Sequence, residues 1–149
     1  MTTKYYDIRF VKNIKNTDPN VVSYSGYKIH NTFDLWFADK PCAGKYNAGD
    51  IVLLYQRLPN NNNASFTHLV RILDTPPVQR NGGYELSVEV VGTVNVVKSV
   101  TSVCDCMSFK GNGQSGKLIR IQKVIKGHTS VRKVQKRLVE IFAELGQIV

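Results

Sequence analysis

The amino-acid sequence predicts an α+β protein: a small mixed β-barrel of about five to seven strands, with a C-terminal amphipathic helix and a helix near Trp36. Three observations carry this reading. Tyr84 to Val91 alternates polar and apolar residues at period two, which places Glu85, Ser87 and Glu89 on one face of a half-buried strand. Further runs rich in aromatic and β-branched residues are separated by Gly, Asn and Pro clusters, the punctuation of short strands. Near the end, Val131, Val134, Leu138, Ile141, Phe142 and Leu145 recur at helical spacing and make one apolar stripe.

Taken in order, Tyr5 to Val11 reads as the first strand, and Lys12 to Asn20, with Thr17-Asp18-Pro19-Asn20, as a turn or loop. Val21 to Tyr24 fits a short extended piece. His30 to Phe37 is ambiguous, because Asn31 or Thr32 can cap a short helix carrying Phe33, Leu35, Trp36 and Phe37, and periodicity alone does not separate that helix from a strand. Ile51 to Tyr55, an Asn-rich loop and Phe66 to Leu73 form a hairpin-like unit. Asp74-Thr75-Pro76-Pro77 ends its ladder, since proline has no amide donor. Asn81-Gly82-Gly83 marks another turn, Val94 to Val103 a further β-branched segment, Lys110 to Gly116 a loop, and Lys117 to Ile125 a strand with interleaved basic residues. Thr129 or Ser130 can cap the last helix, and Gly146 can stop it. An OB-type barrel fits the strand count nearly as well.

The 149 residues suit one domain spanning the whole of 1–149. Twenty Lys and Arg against eleven Asp and Glu give a formal charge of +9, which favours polyanions or anionic surfaces and also serves plain solubility. No apolar run approaches the roughly 20 residues of a membrane span, and Met1 to Tyr6 lacks the apolar segment of a signal peptide. The expectation is a cytoplasmic protein with no membrane partner. Three cysteines, Cys42, Cys104 and Cys106, leave at least one unpaired, as in a reducing compartment.

The order of Gly49-Asp50-Ile51-Val52-Leu53-Leu54-Tyr55, a polar loop and Thr67-His68-Leu69-Val70-Arg71-Ile72 resembles the central hairpin of the PUA-like β-barrels. The EVE and YTH branches of that superfold, which it resembles in particular, bind nucleic acids and can read modified bases. In YTH-type readers a Trp between the first strand and this hairpin lines an aromatic cage, and Trp36 stands in that order. A second cage Trp has no counterpart here, so Tyr24, Tyr27, Phe37, Tyr46 or Tyr55 would supply the other wall. The resemblance implies that a nucleotide, including a modified and flipped-out base, enters a pocket near Trp36, Tyr55 and His68, stacking on the indole for about 1–3 kcal/mol. Asp34 or Asp39 can accept hydrogen bonds from the base edge, or simply balance charge. Core packing is the alternative fate of a lone Trp among Phe and Leu. Relatives of these modules occur in bacterial restriction or defence systems, which implies a targeting domain beside a nuclease or ATPase.

From Met107 to Val139 the chain carries nine basic residues and no acid: Lys110, Lys117, Arg120, Lys123, Lys126, Arg132, Lys133, Lys136 and Arg137. Such a run suits a phosphate-tracking surface, to which Arg71 of the hairpin adds a further cation; a solvated polar helix face is the plain alternative. No cofactor or metal is expected. Cys104-Asp105-Cys106 lacks the ligand number and spacing of a zinc site, and His30, His68 and His128 are scattered. Nucleophile-elbow, phosphate-loop, dinucleotide and zinc-protease motifs are missing, and Gly111 to Gly116 lacks a Walker ending. The expected function is therefore a non-enzymatic nucleic-acid-binding module, DNA or RNA. A protein-interaction domain is the alternative, and a small enzyme acting on RNA or nucleotides a third.

Overall fold

In the computed structural model, which describes residues 7–14, 24, 26–37, 47–58, 61–73, 77–94, 107, 118–125, 127 and 130–149, the chain builds one mixed sheet and one helix. Of residues 57–58, 61–64, 118–119 and 123 only the backbone is described. The strands are β1 (Ile8–Asn13), β2 (Thr32–Phe37), β3 (Ile51–Leu58), β4 (Asn61–Ile72), β5 (Val78–Arg80), β6 (Gly83–Val94), β7 (Leu118–Arg120) and β8 (Gly146–Ile148). Helix α1 spans Val131–Leu145, and a 3-10 turn, Ile121–Val124, follows β7.

The sheet runs β2-β6-β4-β3-β1-β7, with β5 and β8 also paired to β6. Of these strand pairs only β1–β3 is parallel. Among the described residues no ladder joins β2 to β7, so the sheet is open. It is nonetheless strongly curled: Lys12 of β1 holds its Nζ 4.3 Å from the ring centroid of Phe37 on β2, although three strands lie between them in the sheet order.

Period-two alternation sends side chains to two cores. Ile51, Leu53 and Tyr55 of β3 join Leu69, Val91 and the apolar stripe of α1. Val52 and Leu54 point the other way, into the concave side, with Phe33, Leu35, Phe37, Leu86 and Val88. Each such side chain contributes about 1.5–3 kcal/mol by leaving water. Ser130 starts α1 by accepting the Lys133 amide at 3.2 Å, and Val134, Leu138, Ile141 and Phe142 form its buried face. The helix stops at Gly146, where a Cβ would collide with the Thr93 carbonyl, because β8 lies directly against β6 there. Asn81 and Gly82, with φ of 54° and 76°, make the turn between β5 and β6, the primed type that suits right-handed strand twist.

Several local expectations are corrected. The segment around Trp36 is a strand, not a helix, because its six residues pair with β6 from Thr32↔Glu89 to Phe37↔Tyr84 and bury Phe33, Leu35 and Phe37 on one face. The Asn-rich stretch expected as a loop enters β4 from Asn61 onward, and Lys12 and Asn13 extend β1. The long basic strand expected over Lys117 to Ile125 is three residues of β7 and a 3-10 turn, after which Ile125 makes a single bridge to Met107. Tyr24 sits in a turn at φ 61°. The strands among the described residues number eight, three of them only three residues long. Of the β-branched segment expected over Val94 to Val103, Val94 closes β6 and the remainder, from Asn95 on, lies outside the described residues, as does the Lys110 to Gly116 loop.

Candidate functional site

The aromatic residues expected to share one pocket are placed apart. Trp36 projects from the outer face of β2, opposite its neighbour Phe37, and is half-buried. Its indole lies over Gly83, where a Cβ would come within 2.5 Å of Nε1, and Nε1 donates to the Asn81 carbonyl at 3.3 Å. Phe37 is enclosed on the concave side beneath Lys12. Tyr55 is enclosed in the core under α1, whereas His68, opposite Leu54 in the β3–β4 ladder, faces the concave side. Neighbouring strand residues point to opposite faces, so Trp36, Phe37, Tyr55 and His68 form no common wall. Tyr46 and Asp39 lie outside the described residues. The rings that do gather are Tyr24 and Tyr27, stacked on Phe33 at centroid separations of 4.4 and 4.7 Å, with His68 edge-on to Phe33 at 6.3 Å. Burial raises the Tyr24 hydroxyl above its ordinary pKa, against a lowering hydrogen bond from the Trp36 backbone.

Charges beside Trp36 are committed to each other. Asp34 accepts from Ser87 at 3.2 Å and Arg80 at 3.5 Å. Glu89 takes Arg71 and His30, each at 3.2 Å, and Asn81 donates to Glu85 at 2.9 Å. Asp34 as a base-edge acceptor and Arg71 as a phosphate ligand are therefore both tied into this ion-paired surface. Exposed pairs of this kind contribute little stability, about 0–1 kcal/mol, but they do neutralise each other's field.

His68 heads a buried polar chain. Its Nε2 lies 3.1 Å from the Tyr24 carbonyl, which can only accept, so Nε2 carries the proton and Nδ1 accepts from the Thr67 hydroxyl at 2.9 Å. Gln56 donates to that hydroxyl at 3.5 Å. Burial lowers the His68 pKa to about 4, against the raising effect of the Tyr24 backbone contact, so the ring is neutral at neutral pH. The arrangement is a structural tether, holding the strained Tyr24 turn against β4.

The basic run divides differently. Lys110, Lys117 and Lys126 lie outside the described residues, as does the side chain of Lys123. Arg137 is bound by Glu140 and Glu144, at 3.2 and 3.3 Å, one and two turns onward where the acid-free run has ended. Arg132 is exposed on α1. Arg120, Lys133 and Lys136 are exposed with no ion pair among the described residues.

Beside Arg120 a groove of about 330 Å³ opens between β1, the 3-10 turn and the start of α1. Asp7, Arg9, Gln122 and Gln135 line it, none of them singled out by sequence. Asp7 and Gln135 meet across 128 residues of chain, a separation no local pattern reveals.

Among the described residues no three His, Cys, Asp or Glu groups cluster to hold a metal, and Cys42, Cys104 and Cys106 lie outside that set. Comparison with protein-family models, curated proteins and solved structures finds no match to this chain.

Proposed function

We propose that this chain is a non-enzymatic nucleic-acid-binding module, of the PUA-like barrel type, whose phosphate contacts run from the end of β7 over the first half of α1. The carrying observation is that Arg120, Lys133 and Lys136 are exposed without an ion pair among the described residues, in a chain of formal charge +9. Each can replace a condensed counterion on a phosphate backbone, and counterion release then supplies the affinity. The curl that brings β1 onto β2 is what a barrel of this type requires. Acting beside a nuclease or ATPase, such a module would supply the contact with nucleic acid.

The test is an anisotropy titration of labelled single- and double-stranded oligonucleotides across a salt series. Log K should fall linearly with log salt, by roughly 0.7–0.9 for each phosphate neutralised. Affinity indifferent to salt removes this reading. A protein-docking role is favoured by a different observation, the exposure of Val78 across Glu85 from half-buried Trp36, and pull-down by the Trp36→Ala variant against the parent protein separates the two.

A further inference from the structure

We infer that the groove between β1, the 3-10 turn and α1 holds one nucleotide, its phosphate on Arg9 and Arg120 and its base against Phe10 and Gln122. This deepens the nucleic-acid reading above by naming where a single unit of the strand sits. The groove's volume of about 330 Å³ falls at the small end of small-molecule sites, which run to about 1,000 Å³.

Backbone geometry assembles the lining. In the β1–β7 ladder Arg120 stands directly opposite Phe10, so the two side chains share one face of the sheet. Arg9 is the extra residue of a bulge in β1: Ile8 pairs with Ile51 and Phe10 with the very next residue, Val52. A bulge re-aims the side chain it carries, and here it turns Arg9 into the groove.

A hydrogen-bond chain from buried Gln135 then reaches Arg9 through the exposed Asp7 carboxylate. Gln135 of α1, only 2% exposed, donates from Nε2 to Asp7 Oδ1 and to the Ile8 carbonyl, both at 3.0 Å. The second oxygen of Asp7 accepts Arg9 Nε at 2.8 Å. Asp7 therefore spends both oxygens on holding the bulge, and the terminal amino groups of Arg9 have no partner among the described residues. Arg120 has no partner among them either. Two guanidinium groups at one groove match the oxygens of a phosphate better than two ammonium groups would, because their planar forks bind in pairs of hydrogen bonds.

Phosphate alone would leave the rest of the groove unused. Half-buried Phe10, packed against the concave core, also lines the groove and gives it an apolar wall for a base, and the exposed Gln122 amide both donates and accepts at a base edge. Helix spacing carries Arg132 and Lys136 on the side of α1 next to Gln135, where the backbone on either side of a seated nucleotide would run.

The experiment uses the full chain, with nitrogen-15 spectra that follow Arg9 and Arg120 Nε–H and the Gln122 side-chain amide. AMP, GMP, CMP and UMP are titrated in turn, inorganic phosphate separately, and a labelled single-stranded oligonucleotide by anisotropy. Mononucleotides should shift all three groups, and phosphate only the two arginines, about tenfold more weakly. Arg9→Gln, Arg120→Gln and Phe10→Leu should each lower mononucleotide affinity about tenfold, and Arg71→Gln, on the ion-paired face, should leave it unchanged. If the oligonucleotide binds with the expected salt dependence while mononucleotides leave the groove signals unmoved, this inference falls and the broader reading stands. If mononucleotides shift the groove and no oligonucleotide binds, the groove is a site for free nucleotides and the broader reading falls. Silence from both probes overturns both.

Discussion

The outer face of β2 and β6 and the outer face of α1 with β7 both carry several charged side chains, and they use them in opposite ways. Around Trp36 the charges close on one another, Asp34 with Arg80 and Glu89 with Arg71, and His30 hydrogen-bonds the same Glu89. Around α1 Arg137 is closed by Glu140 and Glu144 and Arg9 by Asp7, while Arg120, Lys133 and Lys136 face water without an ion pair among the described residues. Net charge counts both faces alike. What a polyanion meets is the unspent fraction, and that fraction depends on which strands and turns lie side by side.

The contrast breaks most sharply by reversal of the unspent charges. Lys133→Glu with Lys136→Glu should cost oligonucleotide affinity about 3 kcal/mol, roughly a hundredfold, at about 1.5 kcal/mol for each charged hydrogen bond lost. Anisotropy at low salt checks it, and an unchanged affinity would mean that α1 is not the binding face.

Between the two faces lies a charge that folding prevents from forming. His68 has a folded pKa of about 4 against an unfolded value of 6.5, so below 6.5 the unfolded chain takes up a proton that the folded chain refuses. Stability should therefore be full above pH 6.5 and decline as the pH falls towards 4, by about 2–3 kcal/mol at pH 4.5. Urea unfolding at several pH values, compared with His68→Asn, isolates this part; an identical pH dependence in the variant would assign the effect elsewhere.

A smaller effect belongs to Trp36. Because its half-buried indole is wedged on Gly83 and hydrogen-bonded to Asn81, Trp36→Ala should cost about 2 kcal/mol of stability, less than a fully buried Trp would, with oligonucleotide affinity unchanged. Melting and titration of the one variant decide it, and a loss of affinity with the fold intact would restore Trp36 as a base platform. Arg71→Gln should do least, under about 1 kcal/mol of stability and no loss of binding, since Glu89 already holds that cation. Weaker oligonucleotide binding in that variant would blur the distinction between the faces.

The elements with strong local signals were legible in the chain: the alternation of Tyr84 to Val91, the α1 stripe with Ser130 before it, and the Asn81-Gly82 turn. β2 hid because Trp36 occupies an outward position where a polar residue would have completed the period-two pattern of Phe33, Asp34, Leu35 and Phe37. The pocket expected around Trp36 failed for a related reason. Once β2 is a strand, Trp36 and Phe37 must part, but whether Tyr55 or His68 faces α1 depends on the β3–β4 register, which shifts at Leu54 and Tyr55. Arg9 and Gln135 escaped notice because a bulge and a contact between distant parts of the chain make them neighbours.

The position of β1 has a consequence for how the chain is made. Of the strands in this sheet it is synthesised before the rest, yet it is an inner strand, parallel to β3 on one side and antiparallel to β7 on the other. Its second neighbour arrives only with Leu118–Arg120, and its tether to Gln135 later still. Contacts this distant in sequence are closed late, so β1 gains its second neighbour and its tether only after the chain as far as Gln135 has been made. Until then β1 presents a bare row of backbone donors and acceptors, the period in which a nascent chain is most exposed to wrong pairing and most in need of a chaperone.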